Sequence, residues 1–467
     1  MRYAKVTPEI LGKLKKIVGE DSVITDPFDV EPYSHDETTG LKSFPEVVVK
    51  PKAKEEVVKL LSLSNQEGVP LTPRGGGTGV VGGAIPIFGG ILLSLERMNK
   101  ILEIDSANSM TVVQPGVING NLQRELKNYE LFYPVNPASL DSCTIGGNVA
   151  NSSSGANAVK YGGTKNYVCG LEAVLPSGEV IRAGGKLVKN VTDYRTIQFL
   201  LGSEGTLAVI TEITLRVVPS PSVKVDLIVP LSEITSITEI VKRIMAKKII
   251  PTSIEYLNSE TVRITKNYLK DSPSLPEAPH YLLIEVDGDK KEEVDKDYQI
   301  IGEICLDRGA DDVLVVEDSG PQEKIWKFRQ SVRDALVSFS PIMVEEDVVV
   351  PRSRIASFLQ EVRGVLKKWS LSAGIFGHLG DGNVHINILK GEMEDEKWKM
   401  STSRAVEDLF NIAISLGGKI SGEHGIGLIK KSYLPLVMGE AQLNLMRKIK
   451  RVFDPKNVLN PGKIFDM

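Results

Sequence analysis

Cysteine is scarce in this chain. Three thiols in 467 residues, Cys143, Cys169 and Cys305, stand far apart with no CxxC pair. That spacing offers neither a disulfide framework nor a cysteine-held iron–sulfur cluster, and it predicts inert thiols. An excess of charge of one sign is also missing. Lys and Arg number 56 and Asp and Glu 60, for a formal net charge of −4, which leaves no basic field for nucleic acid. No apolar run approaches the roughly eighteen residues that span a bilayer, and the opening MRYAKVTPEILGKLKKIVGE has no signal-peptide stretch. It reads instead as a short amphipathic helix with Thr7 as N-cap and Pro8 at its first position. A soluble cytoplasmic protein is expected, with homodimerisation and peripheral membrane contact both compatible with this composition.

Glycine, by contrast, is plentiful, and its densest stretch is RGGGTGVVGG, residues 74–83. Backbone N–H groups in such a stretch can close directly around an anion, so it reads as a diphosphate cradle. It contains a formal GxGxxG at Gly77, Gly79 and Gly82, with Glu96 placed as a ribose acid. A dinucleotide loop of that kind must open a helix, however, and GGAIPIFGG follows, with Pro86, Gly89 and Gly90 ahead of a strand at 91–95. No Lys-Ser or Lys-Thr pair follows either, which excludes a Walker loop. Upstream, a strand at 46–50, a helix at 54–67 stopped by Gly68 and a strand at 69–73 form a βαβ pattern that feeds the loop. Two more small-residue segments come later, TIGGNVANSSSGANAVKYGGTKNYV at 144–168 and LGSEGTLAVIT with Glu204 and Gly205 at a tight turn. Three such segments in one α+β unit predict one large ligand.

The composition changes at Pro219 to Pro221. Beyond it, strand 224–229, helix 234–247 and a strand at 253–256 are echoed by strand 281–286, helix 290–308 and strand 312–316, which predicts a ferredoxin-like split βαβ. Helix 322–337, strand 342–350 and helix 352–368 continue the unit.

Histidine is scarce as well, and three of the five lie between positions 378 and 424. His378 and His385 flank Asp381-Gly382, a two-residue hairpin signal. A turn centred there sets the two histidines directly opposite, with Cβ atoms about 4.5–5.5 Å apart on one face. This is metal-ligand geometry, and Asn387, two residues on, shares the face and could reach a metal-bound substrate. A divalent ion in a catalytic site needs a third ligand, usually an acid. Glu423, beside His424 in SGEHGIG, is the candidate. His35 and His280 lack such company and read as surface or core residues. Arg329 and Arg333, spaced i,i+4 in the 322–337 helix, repel unless an anion lies between them; a substrate carboxylate suits two guanidiniums, and Asp334 or Glu345 could balance them instead.

Taken together, RGGGTGVVGG, PASLDSCTIGGNVANSSSG, LGSEGTLAVIT and the closing NPGKIF resemble the FAD-binding oxidoreductases of the vanillyl-alcohol oxidase and p-cresol methylhydroxylase (PCMH) superfamily, in its D-lactate dehydrogenase and glycolate oxidase large-subunit branch. The likeness runs in order over nearly the whole chain. It implies an α+β fold with a PCMH-type FAD-binding domain over 1–219, completed by 425–467, and a ferredoxin-like substrate (cap) domain over 220–424 carrying the metal site. It implies non-covalent FAD near Pro73, Arg74, Gly75, Gly76, Gly77, Thr78, Gly79, Gly82, Pro137, Ser139, Thr144, Gly146, Gly147, Ser152, Gly155, Glu204, Gly205 and Asn460. It also implies one divalent metal, zinc or similar, on His378, His385 and Glu423, with His424 at the reacting hydroxyl and Arg329 at the substrate carboxylate.

The activity implied is oxidation of a small D-2-hydroxy acid, D-lactate or glycolate, to the 2-oxo acid. Electrons would pass to an acceptor such as a quinone, a cytochrome, an electron-transfer flavoprotein or an iron–sulfur subunit. The family's D-2-hydroxyglutarate oxidisers use a lysine where this chain has VEEDVVVP, and Glu345, Glu346 and Asp347 are expected to repel a second carboxylate. D-2-hydroxyglutarate oxidation and a flavin-carrying subunit of a larger complex are the alternatives.

Overall fold

The computed structural model describes residues 3–467. Its first helix, Pro8–Val18, starts where Thr7 Oγ1 accepts from Ile10 N at 3.3 Å, and it turns Ile10, Leu14 and Val18 inward. A parallel βαβ follows: strand Val47–Val49, helix Lys54–Glu67 and strand Leu71–Arg74. The helix stops at Gly68, whose φ of 68° suits a residue without Cβ. Strand Ile91–Ser94 inserts between those two strands and pairs with both in parallel. The glycine stretch therefore leaves the end of one strand and returns to its neighbour as a loop.

A five-stranded antiparallel sheet lies alongside, in the order Ile101–Asp105, Met110–Val113, Val209–Arg216, Val168–Val174, Val180–Gly184. Its Val174 and Val209 pack into the core of the first sheet. The C-terminal segment closes the same region: Leu459 bridges Leu71, and Asn460 N donates to Leu71 O at 2.7 Å.

From Val223 a seven-stranded sheet begins. Strands Leu314–Val316, Val223–Leu231, His280–Gly288 and Ser253–Asn258 lie in that order, with helices Thr235–Ala246 and Lys291–Asp307 as crossovers, which is the ferredoxin-like arrangement. Strands Ser372–His378, Asn383–Leu389 and Met343–Val349 extend it. Alternation sorts the two faces. Val225, Leu227 and Val229 pack against Ile237, Ile240 and Ile244 of the first crossover helix, where each fully buried aliphatic contributes about 1.5–3 kcal/mol. The opposite face combines a second apolar cluster, with Leu257, Tyr281, Phe376 and Leu389, and the polar residues that build the site.

Two differences from expectation matter. The helix expected over 322–337 is two helices, Ser319–Gln330 and Val332–Phe339, broken at Ser331, so Arg329 and Arg333 do not share one continuous helical face. The long helix Asp395–Ser415 is the other; its buried stripe holds Trp398, Val406, Leu409 and Phe410 but interleaves them with Ser401, Thr402, Ala405 and Ala413, which dilutes the apolar signal. No helix among the described residues is long and apolar enough to cross a membrane.

Candidate active site

The glycine stretch faces a cavity of about 510 Å³. Residues 73–81 form one wall; Pro137, Ser139, Thr144, Gly146 and Gly147 form another; Glu204 and Gly205 a third; and Arg333, Glu423 and His424 also reach it. Close approach explains the glycines: a Cβ on Gly75 would lie 2.4 Å from Thr144 Oγ1, and one on Gly76 2.4 Å from Ser142 O. Among the described residues, the N–H groups of Gly75, Gly76, Gly77, Thr78 and Gly79 donate to no protein acceptor. A run of free donors beside a long cavity fits the diphosphate of a dinucleotide such as FAD. Four of the expected cofactor residues stand behind these walls. Gly82 packs on Leu428, Ser152 caps helix Ile145–Asn151 at φ 55°, Gly155 abuts Asn136 O, and Asn460 Nδ2 ties Gly83 O to Glu204 O at 3.0 and 2.8 Å.

The histidine hairpin has a different register from the one expected. Phe376, not His378, pairs with His385, and Asp381 N and Gly382 N both reach back to His378 O across a four-residue connection, 379–382. The shift is two residues. Because strand side chains alternate with period two, an even shift keeps both histidines on one face, and their ring centroids are 5.2 Å apart. Glu423 Oε1 lies 3.3 Å from His378 Nε2 and 3.4 Å from His385 Nε2, with one donor atom of each residue within 4.8 Å of the others. Two imidazole nitrogens and a carboxylate converging this closely suit a divalent cation. His424 stacks on His385, with centroids 5.0 Å and planes 12° apart, and its buried Nδ1 has no partner.

Buried carboxylates hold this set in place. Glu255 sits across from His378 in the strand register, accepts from its Nδ1 at 2.7 Å and takes Arg329 Nε at 2.7 Å on its other oxygen. Arg329 is therefore buried over the Phe376 ring, away from the main cavity wall. Asp347 sits across from His385. Its Oδ2 accepts from Ser421 Oγ at 3.0 Å and from the N–H groups of Gly422, Glu423 and His424 at 2.9 Å each. Asp347 thus organises the loop and cannot confront a substrate, which corrects the expected trio of repelling acids. Glu346 turns to the other face, 3.5 Å from Lys430. Glu345, the third of them, is bound by Arg333 through two 2.8 Å bonds, with Asn387 Nδ2 at 3.4 Å. The signal for Glu255 lay in SIEYL, an acid inside an otherwise apolar strand, since such a charge must be paired.

Comparison with known proteins follows the same lines. Residues 220–464 match the family described as FAD linked oxidases, C-terminal domain, and residues 45–184 match an FAD binding domain. The chain belongs to the FAD-linked oxidases. D-lactate dehydrogenase of Anaerostipes hadrus is 36% identical over 469 residues, 99% of this chain and 98% of that protein. Glycolate oxidase subunit GlcD of Bacillus subtilis (strain 168) is 39% identical over 439 residues, 93% of this chain and 92% of that protein. The solved structure of p-cresol methylhydroxylase with substrate bound has a TM-score of 0.77 at 18% identity, covering 98% of this chain and 96% of the other, a likeness of fold.

In this FAD-linked oxidase the electrostatics suit two of the three donors and set a proton on the third. Burial raises a carboxyl pKa, but His378, His385 and His424 outweigh it and hold Glu423 at about 2. Burial, reinforced by His424, pushes His385 down to about 3. Burial also acts to lower His378, yet the facing carboxylates of Glu255 and Glu423 hold it well above the ordinary value. Asp347, although buried, is held well below its usual range by His424, Lys430 and His385. At neutral pH Glu423 is therefore an anion and His385 neutral, the states a cation site requires, whereas His378 carries a proton that a cation would have to displace.

Proposed function

We propose that this FAD-linked oxidase oxidises a small D-2-hydroxy monocarboxylate, D-lactate or glycolate, to the 2-oxo acid. One observation carries the reading: Glu423 and His424 line the same cavity as the glycine stretch, so a metal-ligand carboxylate and a free imidazole meet where a flavin would be held. The full-length relatives named above support it. The chain divides into an FAD-binding unit, 1–219 with 425–467, and a cap, 220–424. FAD, held without a covalent bond by residues 73–81 and the Thr144 and Glu204 segments, supplies the acceptor for the C2 hydride when bound. A divalent ion, zinc in this reading, held by His378, His385 and Glu423, supplies a Lewis acid that lowers the hydroxyl pKa.

The chain's own residues do the rest. His424 takes the hydroxyl proton, its ring fixed by stacking on His385. Arg333, whose Nη1 meets Glu37 Oε2 at 3.4 Å, presents a cation at the cavity wall for the substrate carboxylate. Arg329 does not line the cavity and instead holds the Glu255 carboxylate that orients His378, and Asn387 holds Glu345 on the Arg333 side. With carboxylate and hydroxyl both held, C2 has one orientation, and selection for the D enantiomer arises there. Electrons leave to an acceptor outside the chain. The test is His385→Ala with metal measured by atomic spectroscopy: metal should be lost while FAD stays, and heat precipitation should release the flavin to the supernatant. A wild-type protein that is metal-free and fully active would overturn the metal assignment.

A further inference from the structure

The loop 421–427, which carries Glu423 and His424, is captured by two carboxylates from different parts of the chain. Asp347, on the seven-stranded sheet, takes the N–H groups of Gly422, Glu423 and His424. Glu204, in the turn beside the cavity, takes those of Ile426 and Gly427 at 2.7 Å each. Such charge-assisted bonds are roughly twice as strong as neutral ones. Glu204 is itself tied to the cavity walls. Its N–H donates to Ala150 O at 2.8 Å, Asn460 Nδ2 bridges its carbonyl to Gly83 O, and Gly205 packs so closely on Pro73 that a Cβ would come within 2.8 Å of it. The walls built by helix Ile145–Asn151 and by the glycine stretch therefore meet at the Glu204 backbone, and its side chain ends on the loop that bears Glu423.

We propose that Glu204 is a positioning residue that couples flavin occupancy of the cavity to divalent-ion affinity at His378, His385 and Glu423. The proposal rests on the reading of both sites given above. His378 and His385 are anchored on paired strands, whereas Glu423 belongs to a loop whose order depends on being captured. Filling the cavity steadies the walls that fix the Glu204 backbone. The Glu204 carboxylate passes that order to the loop, and a ligand ordered in advance loses less conformational entropy when the ion binds. Linkage makes the effect reciprocal, so the ion must tighten flavin binding by the same factor.

The experiment measures Zn²⁺ affinity of the full chain, by competition with a chromophoric chelator, in flavin-free and FAD-loaded forms. FAD-loaded wild type should bind Zn²⁺ about tenfold more tightly, within the usual range for coupled sites, and Zn²⁺ should slow FAD release correspondingly. Glu204→Gln keeps the size but turns an amide NH₂ toward one of the two N–H donors; its ratio should fall toward one. A ratio preserved in Glu204→Gln overturns the role of Glu204. Equal Zn²⁺ affinity of the two wild-type forms overturns the coupling even if the variant fails to fold. Absence of Zn²⁺ binding in both wild-type forms is a different result, which overturns the metal site itself and the coupling with it.

Discussion

Glu255 and His378 face each other on adjacent strands, and Glu255 Oε1 accepts from His378 Nδ1 at 2.7 Å. The bond fixes the ring's orientation and aims Nε2 at Glu423, so that displacement of the Nε2 proton by a bound cation would leave the Nδ1–H tautomer. The same carboxylate holds Arg329, so one buried anion orients the His378 imidazole and a guanidinium together.

Replacing Glu255 by Gln should separate those two functions from the chemistry. Stranding a buried guanidinium costs about 3–5 kcal/mol, and releasing a ligand imidazole from its outer partner costs about 10–100-fold in metal affinity. Urea unfolding should show the first effect, and metal titration at constant FAD content the second. Unchanged metal affinity would mean that His378 needs no such orientation.

His424 offers the cleanest test of proton removal. His424→Ala should slow flavin reduction in stopped flow by about 10²–10⁴-fold, the range for losing a general base. Metal and FAD contents should not change, because His424 lies outside the proposed ligand set of His378, His385 and Glu423. Reduction at near wild-type rate would place the base elsewhere.

Substrate charge is set by how the cavity's cations are already engaged. Arg333 is bonded to Glu345, and Arg74, the other cation on the wall, donates to His35 O at 2.6 Å at the glycine end. A second carboxylate would meet Glu37 and Asp334 of the lining without a free cation, and an uncompensated like charge of this kind costs several kcal/mol. D-lactate should therefore show a higher kcat/KM than D-2-hydroxyglutarate, by roughly tenfold or more. The reverse order in steady-state kinetics would refute this.

Stability should fall on acidification through His280. This buried ring pairs with Tyr256 OH at 2.7 Å, and burial, followed by the Arg363 cation, pushes its pKa down to about 4. The unfolded chain, with an ordinary histidine pKa near 6.5, binds the proton first. The contribution is thus present above about pH 6.5 and is lost as pH falls toward 4, on the order of 3 kcal/mol in all. Urea midpoints at pH 7.5 and 4.5 measure it, and His280→Phe should flatten that part of the slope. An unchanged slope would show that His280 is free to protonate in the folded chain.

Local chemistry made much of this protein legible in advance. Thr7 and Gly68 mark helix ends because a hydroxyl acceptor and a missing Cβ act within a few residues. The glycine stretch declares close approach because absent side chains are visible in any sequence, and the Thr144 and Glu204 segments that share its cavity stand out by the same small residues. His378 and His385 share a face under either register, since period-two alternation survives an even shift. Tertiary structure alone decided what lies beside them. Glu255 is 123 positions from His378, and Glu204 is 222 from Ile426. Those partners were fixed by which strand came to lie next to Ser372–His378 and by where the chain's end folded back. Such choices depend on long-range packing of whole apolar faces, which no local pattern of residues encodes.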